Sequence, residues 1–320
     1  MQIQGKNFRV LDVYSESITI PDSFAAPNNK FGSGHGEAKL YIGTKTKMNN
    51  FFGQSTSCFV LKDDFENYRN GLLHVQPVLS SIYKNSIGKN KRFSSILNNI
   101  NMIINGMQNI EYFNIKLMNN LSGQRGYINT TTKNNSGGYF YLRSCCIPFA
   151  TYIRILKLED AATGNILFYI KLFPNFDEMY EQVQYIRKYG RRSVSSSHAT
   201  ARTGQAKYKR ELVQIFNECP FSHIMDERIL VASHILPYAS CNSSQKYDPE
   251  NGLLLSPLYD KLFDKGFITF DQQGNLRKTI WLSSAEWEKI PLSYNLQDLH
   301  LTNQRKAYLQ FHETYVFLGD

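Results

Sequence analysis

Residues Ile229 to Gly266 read ILVASHILPYASCNSSQKYDPENGLLLSPLYDKLFDKG, and the order of parts in this stretch decides the fold of the C-terminal region. The apolar run Ile229–Ala232 has the branched residues of a strand, delivers Ser233 and His234 at its end, and is stopped by Pro237, which cannot donate to a sheet ladder. A polar loop follows. Asn251-Gly252 then opens a second apolar run, Leu253–Leu255. Ser256 is a good helix N-cap, Pro257 suits the first helical position and Gly266 suits the C-terminal stop. On that helix Asp260 and Asp264 stand four apart, so both carboxylates leave one face. A strand–strand–helix unit thus carries a histidine, an asparagine and two carboxylates.

This ordered set resembles the HNH nuclease motif, the ββα-metal fold. The resemblance implies a general base at His234, the middle asparagine at Asn251, a metal ligand at Asp260 and a further ligand at Asp264. Upstream, RTGQAKYKRELVQIFNECPFS (Arg202 to Ser222) resembles the lead-in of a branch common among bacterial restriction endonucleases. Phe263 to Ile268 and the closing YLQFHETYVF (Tyr308 to Phe317) continue that likeness. One position departs from the pattern. Many HNH proteins place a metal-binding Asp or His immediately before the base, and this chain has Ser233, a poor ligand for a hard cation beside a carboxylate.

Composition bounds the remainder. The 320 residues leave room for two ordinary domains, 42% hydrophobic content allows a packed core in each, and a formal charge of +9 favours an anionic partner. Five cysteines without a repeating spacing read as free thiols in a reducing compartment. The absence of a long apolar run and of a signal-peptide pattern leads to the expectation of a cytoplasmic protein with no membrane partner.

Along the chain, Lys39–Ile42, Cys58–Leu61 and Glu111–Met118 read as strands. Phe93 to Met107 repeats apolar residues at helical spacing, and Thr151–Leu158 and Ile166–Phe173 flank a hairpin turn. The glycines at 32, 34 and 36 lack the strand-then-helix context of a phosphate loop. Residues 119–138 read as a polar loop, the stretch from Tyr139 as strand-rich, and Thr279–Leu282 as a late strand. Lys207–Phe216 fits a helix packed through Tyr208, Leu212, Ile215 and Phe216.

The expected fold class is α+β. Residues 1–186 form a mixed α/β or β-rich DNA-recognition domain, 187–203 a basic Ser-rich linker, and 204–320 the ββα-metal nuclease domain. Arg191, Arg192, Arg202, Gln205, Lys207 and Arg210 are the candidate DNA contacts.

The chemistry implied is metal-dependent phosphodiester hydrolysis. His234 accepts a proton from water, and Mg²⁺ or Mn²⁺ is held by Asp260 with Asp264 and Ser233. Asn251 braces the loop that orients His234. Structural zinc is not expected: Cys219 and His223 have ligand spacing, but Cys241 stands alone and no second pair exists. Double-stranded DNA, a second copy of the chain and a cognate DNA methyltransferase are the expected partners of a type II restriction endonuclease. The alternative is a catalytically degenerate or signal-gated DNA-binding defence protein on the same fold.

Overall fold

Hairpins and helix caps written into the sequence build two separate units, Met1–Asn175 and Phe176–Asp320, and the class is α+β. The computed structural model describes residues 1–21, 39–80, 93–119, 124–130, 137–181 and 195–319, with the backbone alone for 93–95 and 195–203.

The N-terminal unit is one mixed sheet. Its strands are β1 (Gln2–Ile3), β2 (Lys6–Val13), β3 (Leu40–Thr44), β4 (Ser57–Leu61), β5 (Ile110–Asn119), β6 (Arg125–Thr130), β7 (Thr151–Asp160) and β8 (Ile166–Pro174), in the order β1-β2-β7-β8-β4-β5-β6-β3. The β7–β8 hairpin is held in register from Thr151 opposite Pro174 to Glu159 opposite Ile166. Asp160 Oδ1 closes its turn by accepting from the amides of Ala162 (2.8 Å) and Thr163 (3.2 Å), and Gly164 supplies the positive φ of 72°. The pairing of β4 with β8 is parallel, because helix-containing segments separate them in the chain.

Helices α1 (Lys45–Phe52), α2 (Lys62–Leu73), α3 (Phe93–Asn105) and α4 (Gly138–Cys145) belong to this unit. In α3, Leu97, Ile100 and Ile104 are buried, as the apolar spacing predicts. Two expectations are corrected. The predicted polar loop contains strand β6, whose Ile128 is fully buried, and the aromatic run after Gly137 is helical. At that second place tertiary packing overrides β-propensity, since a Cβ on Gly138 would stand 2.1 Å from the Phe113 ring. The glycines at 32, 34 and 36 lie outside the described residues.

In the C-terminal unit α5 (Ser195–Phe216) begins inside the stretch read as a linker. Strand β9 (Val231–His234) starts two residues later than the apolar run, and β10 (Gly252–Leu255) follows the loop. Next comes α6 (Pro257–Asp264), with Ser256 at the N-cap and Pro257 at its first position. The later elements are β11 (Ile268–Phe270), β12 (Leu276–Lys278), α7 (Ser284–Trp287) and α8 (Asn303–Tyr315).

The strand expected at Thr279–Leu282 is displaced to Leu276–Lys278. Thr279 instead turns the chain, its hydroxyl accepting from the Trp281 amide (3.2 Å) and its carbonyl from the Trp287 indole (2.9 Å). One core joins Tyr208 and Leu212 of α5, Leu253–Leu255 of β10, Phe263 of α6 and Leu309 of α8. No helix among the described residues is long and apolar enough to cross a membrane.

Gly266 ends α6 with φ of 67°, and a Cβ there would meet the Val316 carbonyl oxygen at 2.0 Å. Its own carbonyl accepts from Leu318 (3.0 Å), so α6 and the end of α8 are sewn together. Gly266→Ala is therefore expected to destabilise the chain by about 3 kcal/mol, measured by denaturant unfolding followed through the C-terminal tryptophans.

Candidate active site

Strands β9 and β10 pair antiparallel with Gly252 opposite His234 and Leu255 opposite Val231, and α6 leaves β10 to pack back across β9. The end of β9 and one face of α6 meet at a cleft of about 270 Å³. Its lining includes Ser233, His234, Asp260 and Asp264, together with Asp177 and Tyr238. Side chains of β9 and α6 that stand 26 or more positions apart in sequence are thus brought to one opening by the hairpin and the helix.

His234 is held on three sides. Its Nε2 is 2.9 Å from the carbonyl oxygen of Lys246. A carbonyl only accepts, so Nε2 carries the hydrogen and the neutral ring keeps its lone pair on Nδ1. The ring stacks on Tyr208 (centroids 4.6 Å, 20° between planes) and meets Tyr238 edge-on (5.4 Å, 88°). Burial pushes its pKa below the usual 6.5, against the weaker opposing effect of the Lys246 carbonyl. The imidazole is therefore neutral at pH 7.

Asn251 is fully buried and lies behind the cleft. Its Oδ1 accepts from the Leu236 amide (2.7 Å), and its Nδ2 donates to the Gln245 carbonyl (3.0 Å) and to Cys241 Sγ (3.3 Å). Its backbone carbonyl accepts from the Ile235 amide (3.1 Å) and from the Tyr208 hydroxyl (2.9 Å). One side chain thus ties together both ends of the loop that presents the Lys246 carbonyl to His234.

The carboxylates make the opening electrically frustrated. Burial, then the neighbouring Asp260 and Asp177, raise the pKa of Asp264 to about 8. Burial also raises that of Asp260, opposed by a hydrogen bond from Ser233 and by Lys261. The Ser233 hydroxyl lies 3.5 Å from Asp264 Oδ1, and Lys265 is engaged by Asp177 at 2.7 Å. Two partly desolvated carboxylates beside a hydroxyl are an oxygen donor set that a hard divalent cation suits. Mg²⁺ commonly takes one or two carboxylates and completes its shell with water and substrate phosphate. Among the described residues, no group of three or more His, Cys, Asp or Glu side chains stands ready to hold a metal.

Of the candidate DNA contacts, Gln205 lines the cleft, while Lys207 and Arg210 are exposed on α5, with Lys207 3.6 Å from Glu211. Arg202 lies on the α5 backbone, its side chain outside the described residues, as are Arg191 and Arg192 altogether. Cys219 is buried with its thiol 3.8 Å from the Ser256 hydroxyl, and His223 is exposed beside Glu218 (2.7 Å).

Three contributors escaped the sequence reading. Tyr208 was read as core alone, yet it is also the platform under His234. A signal for this is Gly252: a Cβ there would stand 2.3 Å from the Tyr208 hydroxyl. Asp177 brings a third carboxylate to the cleft. Arg305, fully buried on α8, donates to the Pro249 carbonyl (3.1 Å) and to the His300 carbonyl, pairs with Glu250 (3.7 Å), and so pins the turn before Asn251.

A short hairpin folded onto a helix, with an imidazole at the strand end and carboxylates on the helix, defines a ββα nuclease-type centre. Residues 219–271 match the HNH endonuclease family, and the C-terminal unit therefore contains an HNH endonuclease domain. A comparison with curated proteins finds no match.

Two outcomes test this geometry. Asn251→Ala leaves the Leu236 amide and Gln245 carbonyl without partners and is expected to cost about 2–4 kcal/mol in unfolding free energy. Asp264 has a folded pKa above its unfolded value, so its contribution to stability is full below about 3.8 and is lost as pH rises through about 8. Asp264→Asn in a chelator is therefore expected to melt at least about 4 °C above the wild type at pH 8.5 and close to it at pH 4, read by calorimetry.

Proposed function

We propose that this chain is a metal-dependent DNA endonuclease of the restriction type. The observation that carries the reading is the convergence of a neutral His234 and the Asp260–Asp264 face on one cleft of an HNH domain. His234 Nδ1, the free nitrogen of a ring whose tautomer is fixed by the Lys246 carbonyl, accepts the proton of the attacking water. Tyr208 and Tyr238 keep that ring from turning. Asn251 holds the loop and touches no reacting atom. Asp260 and Asp264, with Ser233 as a weak third donor, are the residues that would hold a divalent ion. Bound Mg²⁺ or Mn²⁺ would supply neutralisation of charge at the scissile phosphate.

On this reading double-stranded DNA is the substrate and Gln205, Lys207 and Arg210 meet its backbone. The N-terminal unit contributes recognition, and a second copy of the chain provides the second cut. A cognate methyltransferase protects the host, and the setting is the cytoplasm.

A second reading, a DNA-binding protein that does not cut, is favoured by the serine at position 233, where the resembled family often has a metal-binding Asp or His. Plasmid digestion in Mg²⁺ and in EDTA, across a methylation series, separates the two. The nuclease reading expects discrete metal-dependent fragments, with the rate falling about 10²–10⁴-fold in His234→Ala. The base must be neutral to work, so the rate is expected to fall as pH drops through an apparent pKa below 6.5. Retention of DNA in EDTA with no cutting of any substrate in Mg²⁺ would establish the second reading instead.

A further inference from the structure

The two faces of the N-terminal sheet differ. On one, Leu40, Ile42, Val60, Ile115, Ile128 and Ile155 are buried, and α1, α2 and α4 pack against the sheet. On the other, the pairing register sets Tyr41 beside Tyr127 and Tyr127 beside Met118. Because side chains alternate along a strand, Arg125 and Asn129 of β6 and Tyr112, Asn114 and Lys116 of β5 share that face. It is accessible: Tyr112 is 49% exposed, whereas Ile115 on the opposite face is 1% exposed. No carboxylate stands on this face of β3, β5 or β6.

The sheet also curls around this face. Phe8 of β2 stacks on Phe59 of β4 at 5.9 Å although β7 and β8 lie between those strands in the order, and Phe59 stacks on Tyr169 at 5.1 Å. That aromatic stack fills one half of the concave side. The other half is lined by rings that each carry a cation. Lys6 lies 5.7 Å over Tyr112, Lys39 5.7 Å over Tyr127, and Arg125 5.6 Å over Tyr41, with the Tyr41 and Tyr127 rings 5.6 Å apart. The attraction of a cation for the face of a ring holds the two groups together.

We propose that this concave face binds a nucleic-acid strand through unstacked bases, with Tyr41, Tyr112 and Tyr127 as the stacking platform and Lys6, Lys39, Lys116 and Arg125 as the phosphate contacts. Rings interleaved with cations are the combination single-strand binders use, because every base has a π-face and every nucleotide a phosphate. A closed duplex hides its base faces and offers the rings nothing to stack on, so the occupant is a single-stranded or locally opened segment. The inference rests on the proposed reading of the N-terminal unit as the recognition part and goes beyond it in naming the face and the kind of strand it takes.

The test uses the full chain carrying His234→Ala, in EDTA, with fluorescence anisotropy of a labelled thymidine homo-oligomer of about 16 nucleotides and of a matched duplex. Replacing both Tyr41 and Tyr127 by Ala is expected to weaken oligomer binding at least about tenfold and leave duplex binding unchanged. Replacing both by Phe keeps the rings and is expected to restore affinity, which separates stacking from loss of fold. Arg125→Gln is expected to lower the salt slope of oligomer binding by about 0.7. Failure of the parent chain to bind the oligomer, affinity indifferent to the Ala pair, or equal loss in the Ala and Phe pairs would each overturn the proposal. A chain that binds as described but never cuts DNA keeps this surface and loses the nuclease reading; a nuclease indifferent to these substitutions does the reverse.

Discussion

The carboxamide of Asn251 is the constraint on which the C-terminal unit depends. A buried amide must satisfy its donors and acceptor inside the protein, and here it does so across a loop of ten residues, between the Leu236 amide and the Gln245 carbonyl. Because Lys246 follows directly, the carbonyl that sets the tautomer of His234 is placed by the same bonds. The turn before Asn251 is clamped in its own right: Tyr308 and Gln304 both donate to Asp248 Oδ2 at 2.7 Å, and Arg305 holds Pro249. Loop, imidazole and closing helix are one hydrogen-bonded body.

Against that satisfied network stands an unsatisfied one. Asp260 and Asp264 are a turn apart on α6 and partly desolvated; burial raises the proton affinity of both, and the Asp260 and Asp177 carboxylates raise that of Asp264 further. Lys265, the cation just past the helix end, is engaged by Asp177. A folded chain that keeps two carboxylates in this state gives up stability where an asparagine or leucine would add it, and such local conflict is characteristic of sites shaped for a ligand or a reaction.

Much of this unit was legible in the sequence because its signals are local. Pro237, Asn251-Gly252, Ser256-Pro257 and Gly266 punctuate the hairpin and helix, and each boundary falls within about two residues of its expected place. What was not legible depends on distance. Tyr208, 26 positions before His234, reads as one more apolar contact on α5, and nothing in its neighbourhood announces a ring stacked on an imidazole. Arg305 reads as an exposed helix residue until α8 is laid against Phe216 and the 249–250 turn, with its guanidinium 5.0 Å over the phenylalanine ring. In the N-terminal unit the misread places, β6 and α4, are those where burial against partners far along the chain decides between strand, helix and loop. Helix α2 carried a readable mark, Asp63 and Asp64 in its first turn, which favours a helix start through the macrodipole.

Arg305 also bears on modularity. The stretch that matches the HNH family ends at residue 271, but the guanidinium that clamps the turn before Asn251 lies more than thirty positions beyond, and the ring under His234 lies before residue 219. The family segment is thus a centrepiece held between two borrowed helices. In recombination or domain grafting, the piece to move whole is the compact unit Phe176–Asp320, which keeps Asp177 and the Leu318 contact with it; a cut at the borders of the matched segment would part His234 and the α6 carboxylates from the residues that hold them in shape.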